Sequence, residues 1–98
     1  MTSYRNAIME VFKPDDGSYQ QPCRVRQDLE SIRLEYEEDG IAYAYVGRAR
    51  GEGHYELEAE GFQGRATLHT FSGSIFLDGA WQEEGGYGMW RIRLGGVD

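Results

Sequence analysis

The chain has 98 residues, the length of one modest domain, so we expect a single domain spanning residues 1–98. It carries 10 Lys and Arg against 17 Asp and Glu, a net charge of −7, which argues against binding to nucleic acid. No apolar run is long enough to span a membrane, and the single cysteine, Cys23, excludes an intramolecular disulfide or a cysteine-rich zinc site.

The first thirty residues allow two interpretations. Helical spacing would place on one face Ile8, Met9, Val11 and Phe12. A strand would place on one face Ile8, Glu10 and Phe12. The Pro-Asp-Asp-Gly segment at 14–17 ends either element, and a second short strand is expected near 18–21 or 23–26. Residues 1–30 are therefore expected to form a helix or edge strands.

From Ser31 onward, apolar and polar residues alternate in short runs separated by glycine-containing turns, the first of them Glu38-Asp39-Gly40. This pattern predicts six strands, at about 31–37, 41–50, 54–60, 65–71, 75–83 and 88–94. Connections of three to five residues are too short for a crossover helix, so neighbouring strands are expected to be antiparallel. Residues 95–98 are expected to be a frayed end.

The strand pattern predicts an all-β, antiparallel up-and-down meander. With one or two strands from residues 1–30 it would have six to eight strands, and closing the sheet would remove both exposed edges. A small closed or nearly closed barrel, calycin-like in general architecture, is therefore the first expectation. The alternative is an open, curved sheet covered by an N-terminal helix.

Six large aromatic residues fall on strand positions that could share the inner face of this barrel: Tyr36, Tyr43, Tyr45, Tyr55, Trp81 and Trp90. They could fill the interior completely, or they could line a pocket for a small apolar or aromatic ligand oriented by the tyrosine hydroxyls. Both interpretations depend on the register, because a slip of one residue would reverse the inner and outer faces.

The segment Gly79-Ala80-Trp81 resembles a feature of lipocalins and related calycin barrels, in which a strand carries Gly-x-Trp and an arginine packs over the indole. Here Arg91 or Arg93 could meet Trp81 across the last hairpin. The resemblance covers about residues 79–93, on the next-to-last strand, whereas lipocalins carry the motif on their first. It favours a barrel and implies no particular function. Arg91 joins the six aromatics as a candidate ligand-binding residue.

The two histidines are the main candidates for catalysis. With Glu56 or Glu58, His54 and His69 could supply two imidazoles and a carboxylate to zinc, or act in acid–base chemistry. Alternating glutamates on a strand are more often a solvated face, so we expect no metal and no cofactor. The glutamates could instead pair across strands with Arg48, Arg50, Arg65 or Arg91, and one possible pair is Arg65 opposite Glu60 across the turn at 61–64.

The leading functional prediction is a small, soluble, non-catalytic binding protein with an apolar or aromatic ligand in the barrel interior or mouth. The first alternative is a protein-interaction module or homodimer, suggested by the two-sided apolar strand at 41–46 and by outward Phe71 and Phe76. The second is a small enzyme using His54 or His69 with a glutamate. The polar N-terminus and lone cysteine favour the cytoplasm.

Overall fold

The computed structural model describes residues 1–95 and contains eight β-strands in that range. They are β1 (Thr2–Lys13), β2 (Gly17–Gln27), β3 (Ser31–Glu38), β4 (Ile41–Ala49), β5 (His54–Ala59), β6 (Gly64–His69), β7 (Phe76–Glu83) and β8 (Gly86–Arg93). Each strand pairs antiparallel with the next, and β1 pairs with β8, so the meander closes into a barrel. The prediction of an all-β barrel is confirmed, and the architecture is consistent with a calycin-like one.

The six strands predicted from Ser31 onward correspond to β3–β8. Most of the predicted frayed end lies outside the described residues, which stop at Gly95. Within the described part of the chain, no helix has the length and apolar character needed to cross a membrane.

The helical interpretation of the N-terminal region is wrong, as is the open sheet that it would have covered. In β1 the residues Met9 and Val11 face the core, whereas Ile8 and Phe12 are exposed, which is the period of a strand. A β-bulge between Tyr4 and Ala7 shifts the register with β2. Tertiary context decides the outcome, because β2 and β8 both need a partner for the barrel to close.

The turn between β3 and β4 shows how local sequence sets the register. Asp39 and Gly40 have φ values of 52° and 77°, so both central residues of this two-residue hairpin are left-handed. Asp and Gly tolerate that conformation, and its twist matches that of the flanking strands. The Asp-Gly pair thereby fixes Tyr36 opposite Tyr43, with both rings on the inner face.

The barrel interior is filled by side chains contributed by every strand. The largest fully buried ones are Tyr45, Met9, Leu34, Leu57, Leu68, Leu77, Ile92, Val25 and Cys23. β6 approaches β7 closely at Gly79, where an added Cβ would overlap the carbonyl oxygen of Thr67. The indole Nε1 of Trp90 donates to that same oxygen at 3.0 Å, so the carbonyl is paired.

Candidate functional site

The alternating strands give the barrel two different ends. The Glu83 end is where β1–β2, β3–β4, β5–β6 and β7–β8 turn, and the Phe71 end is where β2–β3, β4–β5 and β6–β7 turn. The candidate site residues divide unequally between them, so each end is described separately.

Five of the predicted site residues lie towards the Glu83 end, among them four that form a chain of ring contacts with Phe62. Tyr36 stacks on Tyr43 with centroids 5.5 Å apart, and Tyr43 meets Phe62 edge-on at 5.5 Å. Tyr45 contacts Phe62 at 5.6 Å and Trp90 at 5.2 Å, both edge-to-face. These are favoured arrangements for aromatic pairs, so the cluster is a packed part of the core.

Two tyrosine hydroxyls at this end are paired with carboxylates. The hydroxyl of Tyr45 donates a hydrogen bond to the carboxylate of Glu83, and the hydroxyl of Tyr19 donates to Glu38 at 3.1 Å. Burial, reinforced by Glu38, raises the pKa of Tyr19 to about 12. Burial and the nearby Glu83 also raise the pKa of Tyr36 and of Tyr45, so these hydroxyls remain protonated donors at neutral pH.

Little space is left among these rings. The cavity bordered by Tyr36, Trp81, Trp90 and Glu83 has a volume of about 90 Å³. A water molecule occupies about 30 Å³ of liquid volume, so this space accommodates a few waters. Pockets for drug-sized ligands measure roughly 300–1,000 Å³. The aromatic set therefore packs as core at this end of the barrel.

The Phe71 end is wide and open. It holds a depression of about 1060 Å³ bordered by the turns at 28–30 and 50–53, the 70–75 segment and the beginning of the chain. Four exposed apolar side chains lie on its rim: Met1 at 73%, Leu29 at 86%, Phe71 at 89% and Ile75 at 47%. Such a concentration of exposed apolar residues around one concavity is typical of a binding surface.

The floor of the depression carries a fixed polar group. Tyr55 is buried, and its hydroxyl donates to the backbone oxygen of Asp28 at 2.9 Å and accepts from the Gln27 amide at 3.1 Å. Of the predicted site residues, Tyr55 is the one that borders this depression. It is thereby separated from the other aromatics of the predicted set.

The rim loop that carries Leu29 is held by a side-chain cap. The Asp28 carboxylate accepts hydrogen bonds from the backbone N–H groups of Glu30 at 2.8 Å and Ser31 at 2.7 Å. These two donors lower the pKa of the carboxyl group below its usual value. Because the loop is fixed at both sides of Leu29, this apolar side chain is held outward over the depression.

Arg91 lies on the outer wall of the barrel. Its Nε donates to Asp78 at 2.7 Å, and its guanidinium lies 4.7 Å from the centroid of the Phe76 ring. The predicted packing of Arg91 or Arg93 over Trp81 is wrong, because these arginines are opposite Asp78 and Phe76, and the residue opposite Trp81 is Gly88. The indole Nε1 of Trp81 instead donates to the backbone oxygen of Met89 at 3.2 Å.

His54 and His69 are directly opposite each other on β5 and β6, and both are exposed. Their Nδ1 atoms are 2.8 Å apart, so each imidazole is the hydrogen-bond partner of the other. Glu56 is bonded to Arg50 at 3.1 Å. Across the described residues, no group of three or more His, Cys, Asp or Glu side chains is placed to hold a metal ion.

The predicted pairing of Arg65 with Glu60 is wrong by two residues. Arg65 is opposite Glu58, because the turn between β5 and β6 is longer than the alternation indicated. Glu60 forms a bidentate ion pair with Arg33, with nitrogen–oxygen distances of 2.8 and 3.2 Å. This pairing lowers the pKa of Glu60 and raises that of Arg33.

The remaining large concavity, of about 1240 Å³, runs along the outer wall over β4–β8. It is bordered by outward charged side chains that face one another across strands, such as Glu58 opposite Arg65 and Arg48 opposite Glu56. Each of these cross-strand neighbours carries the charge opposite to that of its partner. The groove therefore carries more charged side chains than the depression at the Phe71 end.

Sequence reasoning identified Tyr55 but did not associate it with the rim residues Leu29 and Ile75. Phe71 was expected to point outward, without a reason to join it to the other two. Comparisons with models of protein families, with curated proteins and with solved structures find no significant match to this chain.

Proposed function

We propose that this protein is a small, non-catalytic binding protein that holds a small apolar or aromatic molecule in the depression at the Phe71 end. The observation that carries the proposal is the combination of this concavity, about 1060 Å³ in volume, with four exposed apolar side chains on its rim. Its volume suits a ligand of ordinary drug size.

Apolar burial supplies the driving force. Covering a large apolar side chain fully is worth about 1.5–3 kcal/mol, so a ligand that covers Leu29 and Phe71 gains several kcal/mol before the cost of association. Tyr55 and Gln27 supply orientation, since their polar atoms are already fixed by mutual hydrogen bonding. A ligand with one hydrogen-bonding group at its buried edge matches this floor best.

The charges around the depression favour a neutral or cationic ligand. Carboxylates of Asp28, Glu52 and Asp78 belong to residues that border it. Asp78 is paired with Arg91 and the amine of Met1 adds one positive charge, which leaves an excess of negative charge. An anionic ligand would be repelled by these groups, while a neutral aromatic molecule would not. The compartment that we propose is the cytoplasm, which suits the buried free thiol of Cys23.

The proposal is tested with N-phenyl-1-naphthylamine, a neutral apolar probe that fluoresces strongly when it leaves water. We expect saturable binding to the wild-type protein, and weaker binding of the anionic anilinonaphthalene sulfonate. Phe71→Ser and Leu29→Ser should each weaken binding of the neutral probe. Both side chains are exposed, so neither change should alter the fold.

Tyr87→Ser is the matched control, because Tyr87 is 65% exposed and lies in β8 near the opposite end. Equal weakening by all three substitutions, or no saturable binding to the wild type, would exclude the proposal. Light scattering over a range of protein concentrations separates the homodimer alternative. A dimer that Phe71→Ser dissociates would mean that a second copy occupies the depression.

A further inference from the structure

The paired histidines lie at the border of the depression at the Phe71 end, and the proposed apolar contacts leave their ring nitrogens unused. His54 opens β5 and His69 closes β6, and their Cα atoms are direct cross-strand partners. The ring centroids are 5.0 Å apart with 63° between the planes. With Nδ1 atoms 2.8 Å apart, one ring must carry an Nδ1 proton and donate it to the bare Nδ1 of the other.

Two neighbouring carboxylates are engaged elsewhere. Glu56 follows His54 by two residues and is held by Arg50, and Asp78 is the cross-strand partner of His69 and is held by Arg91. A third carboxylate, that of Glu52, borders the same depression as the two imidazoles. Both rings are exposed, so their environment is open to an ion from solution.

The nitrogen–nitrogen separation suits one coordination geometry better than another. Metal–imidazole bonds of about 2.0–2.1 Å meeting at a right angle place the two nitrogens about 2.9 Å apart, whereas a tetrahedral angle places them about 3.3 Å apart. The observed 2.8 Å is close to the right-angled value. Right-angled nitrogen and oxygen ligands are the preference of Cu(II) and Ni(II), and tetrahedral ones are the preference of Zn(II).

We propose that His54 and His69 form a two-imidazole chelate for a divalent metal ion of the Ni(II) or Cu(II) type, with water at the remaining positions. The two rings tilt so that both Nδ1 lone pairs point at the ion. The ring that carried the Nδ1 proton becomes the Nε2–H tautomer, so the neutral pair binds without releasing a proton. The two rings border the depression proposed for the apolar ligand, but the metal would be held by ring nitrogens and not by the apolar side chains of its rim.

Ni²⁺ alone is the probe, because it is not reduced by thiols. Calorimetry on the wild-type chain should show one Ni²⁺ per chain, and binding of Zn²⁺ should be weaker. Removing one imidazole by His54→Gln or His69→Gln should weaken Ni²⁺ binding about tenfold or more, because the second imidazole otherwise binds in an intramolecular step. Thermal unfolding without metal verifies that both variants remain folded.

Glu56→Gln is the matched control, since it changes a neighbouring exposed side chain and leaves both imidazoles in place. It should bind Ni²⁺ like the wild type. In NMR spectra of the histidine rings, paramagnetic Ni²⁺ should broaden the signals of both rings at the same metal concentration. Unchanged affinity in the two histidine variants, or broadening at the N-terminus and not at the rings, would overturn the proposal.

Discussion

Tyr45 of β4 donates a hydrogen bond to Glu83 of β7, two residues separated by 38 positions in the chain. Tyr45 has no exposed surface, so its ring belongs to the core and its hydroxyl needs a partner. Glu83 supplies that partner at the end of the barrel where most of the predicted site residues collect. The pair therefore links core packing to the closure of the Glu83 end.

The Tyr45–Glu83 pair leads to a prediction about stability. Tyr45→Phe removes the hydroxyl and keeps the ring, so the barrel should fold with a free energy of unfolding lower by about 1–2 kcal/mol. Urea denaturation measures the difference. Tyr87→Phe removes a hydroxyl from an exposed ring and should change stability little. Equal stability of Tyr45→Phe and wild type would mean that the hydrogen bond contributes nothing.

Gly79 should resist substitution because of the approach of β6. A methyl group there would overlap the Thr67 carbonyl oxygen and displace the bond from Trp90. Gly79→Ala should lower the free energy of unfolding by about 3 kcal/mol or more. The control is Gly86→Ala, where the added atom meets a Trp81 ring carbon at an ordinary 3.9 Å. Thermal unfolding should separate the two variants clearly, and similar melting temperatures would contradict the close approach of Thr67 to Gly79.

The thiol of Cys23 should be unreactive in the folded protein. Cys23 is 2% exposed, and burial raises its pKa to about 12, so almost no thiolate is present at pH 8. Ellman's reagent should modify it slowly in buffer and at once in denaturant. Rapid modification of the native protein would show that the interior opens more readily than its packing indicates.

Asp28 should make stability dependent on acid. The pKa of the Asp28 carboxyl is lower in the folded state than its ordinary value. The ionised carboxylate therefore stabilises the fold at pH values above the unfolded pKa, and this stabilisation is lost as pH falls through the folded pKa. Wild type should therefore be more stable than Asp28→Asn at pH 7, and the difference should shrink towards pH 2–3. Urea denaturation at several pH values measures this difference. A constant difference would assign the effect to something other than ionisation.

The sequence was sufficient for β3–β8 because alternation and turn glycines there agree with each other. It was insufficient for β1, because Ile8, Met9, Val11 and Phe12 also fit helical spacing. The segment forms a strand because it pairs with β8 and closes the barrel. The inward direction of Tyr36, Tyr43 and Tyr45 followed from the register of a tight turn. Whether their rings left room for a ligand depended on packing in three dimensions, which no spacing reveals.

The rim of the depression was harder to predict for a different reason. Leu29 and Ile75 lie in separate connections, and closure of the barrel brings them to one end together with Phe71. The His54–His69 pair depended on the length of the turn between β5 and β6, as did the misplaced Arg65. A turn of uncertain length shifts every cross-strand partner beyond it.

The central claim is that the ligand site is the depression at the Phe71 end and not the aromatic interior. Chemical-shift mapping of the amide groups during titration with N-phenyl-1-naphthylamine tests it directly. We predict saturable shifts concentrated at residues 28–30, 53–55 and 70–76. Shifts concentrated around Tyr36, Tyr45 and Trp90, or none that saturate, would contradict the claim.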